Sequence, residues 1–146
     1  MLTIVLGEEP DVAPLYEALD EAAWRIVDPV VLELCRLRIA TLLGCEFEKH
    51  RRTDTAIDAG LDEATIAELP AWPKSERFGP RDRACLAFCE QFVIDVAGLS
   101  DELAVAVADH LGPQAFRNFV AALLVLEQRQ RLRLAWELLL APRNER

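Results

Sequence analysis

The stretch Asp28-Pro29-Val30-Val31-Leu32-Glu33-Leu34-Cys35-Arg36-Leu37-Arg38-Ile39-Ala40-Thr41-Leu42-Leu43-Gly44-Cys45-Glu46-Phe47-Glu48-Lys49-His50-Arg51-Arg52 decides the fold. Asp28 is a good N-cap. Pro29 suits the first helical position, where a backbone N–H would lack a partner anyway. The pattern predicts a helix over about 29–43, burying Val30, Leu34, Leu37 and Thr41 and stopping at Gly44. A third helix is expected over about 46–58, ended by Gly60.

Helical punctuation continues outward from there. Apolar positions at Val12, Leu15, Tyr16, Leu19, Ala22 and Ala23 predict an amphipathic helix over about 11–26. Asp62 caps a short helix through Leu69, and residues 70–80 read as the main loop. Gly79-Pro80 and Gly112-Pro113 open helices of about 80–97 and 113–140, with a Ser100-capped helix between them. No hairpin turn signal or sustained alternation points to strands. The class is all-α, one domain over residues 1–146 with about six to seven helices. Phe119 to Leu126 is apolar around the whole helix, which calls for burial on all sides and hence a second subunit.

Composition excludes several functions. The 146 residues carry a net charge of -9, against nucleic acid and against an anionic membrane surface, both of which attract Lys and Arg. The Phe119–Leu126 run is far short of the roughly 20 residues that span a bilayer. The start, Met1 to Leu6 followed by Glu8 and Glu9, has no basic region of a signal peptide. Four cysteines without an export signal read as free thiols, and a cytoplasmic location is expected.

Polar residues concentrate around the end of the 29–43 helix. At about 100° per residue, Cys45, Glu48 and Arg52 fall on one face of the expected third helix, and Glu33 can join them from the preceding one. His50 lies on another face, where Glu46 can pair with it. The bland alternative is a Glu48–Arg52 surface ion pair beside a small core cysteine. Elsewhere, Cys85 and Cys89 read as core packing, and Arg129, Arg131 and Arg133 as a solvated or subunit-facing helix side. His110 reads as a helix end, and Trp24, Trp72 and Trp136 as core or interface aromatics. No zinc-ligand spacing or phosphate loop is present, so no metal is expected.

The segment Leu32 to Glu48, then Ala59-Gly60-Leu61-Asp62-Glu63-Ala64-Thr65-Ile66-Ala67-Glu68-Leu69, then Pro80-Arg81-Asp82-Arg83-Ala84-Cys85-Leu86, resembles the carboxymuconolactone decarboxylase and alkyl hydroperoxidase D superfamily over about residues 29–140. The resemblance implies an all-helical, cofactor-free homo-oligomer: a trimer, a dimer of trimers or a dimer. Peroxidase-like members use Cys-x-x-Cys and a His four residues later, with an upstream Glu. Glu33 and Cys45 match, while Glu48 replaces the second Cys and Arg52 the His. Decarboxylase-like members have a Glu beside an aromatic, again followed by a His, and Phe47-Glu48 resembles that half.

The resemblance thus implies a small-molecule lyase or isomerase acting on a carboxylated or lactone substrate. Glu33, Cys45 and Glu48 would be catalytic, and Arg52 and His50 would bind substrate. Glu48 or Glu33 would carry the proton, with a pKa raised by burial. Arginine stays protonated and cannot replace the proton-relay His, but its planar fork can hold a carboxylate. Two alternatives are a thiol peroxidase running on Cys45 and a non-catalytic binding or scaffold protein.

Overall fold

The structure, a computed structural model, describes residues 13–140, with side-chain surroundings for 14–138. The expected positions 11 and 12 of the first helix lie outside it. All regular structure among the described residues is helical: α1 (Ala13–Ile26), α2 (Pro29–Leu43), α3 (Glu46–His50), α4 (Asp54–Asp58), α5 (Glu63–Ala67), α6 (Pro80–Ile94), α7 (Asp101–Leu111) and α8 (Pro113–Leu140). Single 3-10 turns cover Leu69–Ala71 and Val96–Gly98.

Caps set these boundaries. The Asp28 carboxylate accepts from the N–H groups of Val30 and Val31, and Pro29 follows it. At the other end Gly44 sits at φ 73°, and the Cys45 N–H reaches back to the Ala40 carbonyl at 2.8 Å. That left-handed closure suits glycine, which has no Cβ to clash. Asp62 caps α5 through Thr65 and Ser100 caps α7 through Leu103.

α2 is the central element. It packs on α6 and α8, while α1 lies along α8 and α7 closes over α6 and α8. Residues Val31 to Leu37 are buried without a break, so α2 is surrounded rather than half-exposed. Thr41, expected inside, is exposed and donates from its hydroxyl to the Leu37 carbonyl. The core around α2 takes Leu32, Leu34 and Ile39 together with Leu86, Phe88, Phe119, Leu123 and Leu126. Phe88 meets Phe116 edge-on, with centroids 5.5 Å apart. Cys35, Cys85 and Cys89 lie in the α2–α6 seam as buried free thiols, as core packing requires.

Two apolar expectations are only partly met within one chain. On α1, Ala23 is buried but Leu15 and Leu19 are 65% and 46% exposed. On α8, Phe119, Ala122, Leu123 and Leu126 are buried, whereas Ala121 is exposed and Leu124 is 53% exposed. The Leu124 side of α8, with Phe92, Ile94, Val96, Phe116 and Val120, walls an open groove of about 940 Å³.

The expected 46–58 helix is instead two short helices, α3 and α4. Arg51 is extended (φ −78°, ψ 144°), and the chain runs non-helically to Thr53. The cause is tertiary. The Arg51 carbonyl accepts from Arg36, and the Thr53 N–H donates to Glu33 rather than to Lys49, which a continuous helix would require. No helix among the described residues is long and apolar enough to cross a membrane.

Candidate functional site

Arg36 stands at the middle of α2 with 1% of its surface exposed. All five of its N–H bonds are used. Nε and Nη2 donate to Glu33 Oε1, Nη1 donates to Glu48 Oε2 at 2.6 Å and to the Glu48 carbonyl at 2.8 Å, and Nη2 also reaches the Arg51 carbonyl at 2.7 Å. The other Glu33 oxygen accepts from the Thr53 N–H at 3.0 Å. Gln130 of α8 donates to the Arg36 backbone carbonyl. One buried guanidinium therefore fixes α2, α3 and the 51–53 turn together. Its partners Glu33 and Glu48 are almost as deeply buried, at 1% and 2% exposure.

A buried charge is tolerated only when paired and hydrogen-bonded, and this cluster meets that condition. The sequence expectation that burial raises the Glu48 pKa is overturned. Burial does push its carboxyl up, but Arg51 and Arg36, by charge and hydrogen bonds, outweigh it and hold Glu48 below the ordinary carboxylate range. Glu48 is thus a fixed anion. The ion pairs continue at the surface of the cluster, where Arg51 Nε lies 3.1 Å from Glu48 Oε2. Asp20 on α1, pushed up by burial against the pull of Arg129 and Arg51, pairs with Arg129 at 3.1 Å. Arg129 is buried, not solvated as expected, and Arg133 lies over the Phe47 ring.

Arg52 is drawn elsewhere. Its guanidinium pairs with Glu63 at 2.7 Å and donates to the Lys49 and Arg51 carbonyls. The helical-wheel expectation that Arg52 joins Glu48 fails because α3 ends at His50, so the 100° step no longer applies. Arg51 takes the place next to Glu48. Cys45 is 1% exposed at the start of α3. Burial pushes its thiol up, partly opposed by a hydrogen bond from the Glu48 backbone. Reactive cysteines have the opposite setting, electropositive and accessible. The remaining thiols are no better placed, with Cys35 pushed well up by its Cys89 contact and by burial, and Cys85 pushed up to about 12.

One concavity borders this cluster, an open groove of about 410 Å³ lined by Glu46, Phe47, His50 and Arg51. His50 is exposed, and its Nδ1 lies 2.8 Å from the Glu46 carbonyl. A carbonyl only accepts, so Nδ1 carries the hydrogen, and Nε2 has no hydrogen-bond partner among the described residues. The pairing expected between His50 and Glu46 thus runs through the backbone, while the Glu46 carboxylate pairs with Lys49. Of the Arg51 guanidinium, only Nε has a partner among the described residues, and Nη2 is buried without one there. Glu33 and Cys45 lie behind the groove, not on it. Sequence reasoning passed over Arg36 and Arg51. The available signal was the i,i+3 spacing of Glu33 and Arg36 inside an otherwise apolar run. No group of three or more His, Cys, Asp or Glu among the described residues is placed to hold a metal ion.

With this arrangement in view, the comparison with known proteins is direct. A profile of the carboxymuconolactone decarboxylase family matches residues 10–91, and the chain belongs to that family. It is 34% identical over 86 residues to the uncharacterized protein Rv2313c of Mycobacterium tuberculosis strain H37Rv, covering 59% of this chain and 30% of that protein. It is 26% identical over 104 residues to the uncharacterized protein YdfG of Bacillus subtilis, covering 70% of this chain and 71% of the relative. The chain thus spans under a third of the mycobacterial relative's length.

Two outcomes test the cluster. Arg36→Met leaves two buried carboxylates facing each other and is expected to cost about 3–5 kcal/mol in urea unfolding. Because folding lowers the Glu48 pKa, its contribution is complete above the ordinary carboxylate value and is lost as pH falls through the lowered one. Wild-type protein should therefore lose Tm on acidification faster than Glu48→Gln, the gap between them closing at low pH.

Proposed function

We propose that the protein is a cofactor-free enzyme of lyase or isomerase type acting on a small carboxylated or lactone substrate, in the groove of Glu46, Phe47, His50 and Arg51. The observation that carries this reading is the presence, on one groove, of the Arg51 guanidinium, whose Nη1 has no partner among the described residues, and of the His50 imidazole, whose Nε2 has none either. A carboxylate can pair with the donors of Arg51 Nη1 in a charge-assisted hydrogen bond. Imidazole is the side chain suited to exchanging protons near neutral pH.

In this reading Arg51 binds the substrate carboxylate and draws charge toward it. His50 Nε2 takes a proton from the neighbouring carbon and returns one to the product. Glu48, held ionised, keeps Arg51 in place and balances its charge. Glu33 keeps the 51–53 turn in register through Thr53, and Cys45 packs beneath the first turn of α3. Proton carriage thus passes from the two glutamates to His50, and carboxylate binding from Arg52 to Arg51. The thiol-peroxidase alternative is disfavoured by the buried, raised Cys45 thiol.

Thermal-shift and NMR titrations with small lactone acids check the binding half. Arg51→Ala should weaken the response about tenfold, on the order expected for a lost charge-assisted hydrogen bond, while Arg52→Ala keeps it. His50→Ala should retain binding and lose turnover by about 10²–10⁴. Binding without turnover in wild-type protein would instead favour the scaffold alternative.

We further propose that the chain is a homo-oligomer joined through the Leu124 face of α8. That face carries both signs of charge, Arg117 and Arg131 with Asp95 and Glu127, around an apolar centre. A surface paired with its own copy must be self-complementary in this way. Wild-type protein should run as an oligomer in light scattering coupled to gel filtration, and Leu124→Glu should shift it to the monomer with helicity unchanged. A monomeric wild type at tens of micromolar, ~10⁻⁵ M, would sink this reading.

A further inference from the structure

Phe47 stands in α3, one turn before Arg51. The Arg133 guanidinium lies over its ring, 3.7 Å from the centroid, and Arg133 is itself held 2.9 Å from Glu137 on α8. Phe47 lines the groove and Arg133 does not. With the cation seated on one face of the ring, a groove ligand that stacks on Phe47 meets the opposite face. A cation on one face of a benzene ring draws π density toward itself. The opposite face is then less negative and a better partner for an electron-rich, anionic π system stacked in the offset manner.

Placement adds to this. Phe47 on α3 and Arg51 at its C-cap line the same groove, so a flat apolar surface and a guanidinium border one ligand space. A carboxylate joined directly to a conjugated or aromatic system has its π face next to its charge. A saturated acid offers the same charge and no such face. Resting on the small-acid reading of this groove, we infer that Phe47 is the specificity-determining residue of the site and selects planar, conjugated or aromatic monocarboxylates over saturated ones. Arg133 acts as a positioning residue, through the ring, without touching the ligand.

The test measures dissociation constants by NMR titration for two matched pairs: benzoate against cyclohexanecarboxylate, and sorbate against hexanoate. The planar member of each pair should bind about two- to tenfold tighter. In Phe47→Leu that ratio should fall to about one while the saturated acids keep their affinity; Phe47→Trp should preserve or enlarge it. Equal or tighter binding of the saturated acids by wild-type protein overturns the inference and leaves the small-acid reading standing. If neither kind of acid binds, the small-acid reading itself fails and takes this inference with it. The wild-type ratio needs no variant, so a folding defect in Phe47→Leu cannot obscure the result.

Discussion

A guanidinium sealed inside a small helical protein is the constraint on which the rest of this structure depends. Arg36 cannot be deprotonated, and in the middle of α2 it has no access to water. Glu33 and Glu48 must therefore stay close, and the backbone must supply further acceptors. The Glu48 and Arg51 carbonyls do so only if the helix after Gly44 is cut short at His50. The break between α3 and α4 is the geometric consequence of solvating one cation with protein atoms.

The family frame and the present chemistry can then be separated. Glu33, Cys45 and Glu48 occupy the positions that the family motif leads one to expect, and all three are turned inward. Glu33 and Glu48 are consumed by structure, and Cys45 is a packed thiol. His50 and Arg51, which line the groove, lie just past these residues, on the last turn of α3 and its exit. Family membership therefore fixes the fold here and not the activity.

Much of the scaffold was legible from local chemistry. Asp28-Pro29, Gly44, Asp62, Ser100 and Gly79-Pro80 each act within a few residues of themselves, and each boundary falls where its cap places it. Helix α2 was legible in extent but not in surroundings. Glu33 was read as part of the polar cluster and Arg36 was passed over, whereas the two satisfy each other inside the fold. The 46–58 segment misled for the same reason: Arg51 and Thr53 have ordinary helical neighbours, and only bonds to residues fifteen and twenty positions earlier pull them out of the helix. The angle relating Glu48 to Arg52 was lost with that helix. Long-range hydrogen bonds leave no mark in a local pattern.

The division of labour around Arg36 has a consequence for how this protein can change. Its bonds tie the floor of the groove to α2 through side-chain carboxylates and backbone carbonyls, and none depends on the side chains of Phe47 or His50. Those two positions can be exchanged while the anchor remains, so ligand preference and folding are encoded by different letters of the same short stretch. A lineage carrying this arrangement can explore new small molecules by single substitutions on α3 without reopening the question of whether the chain folds.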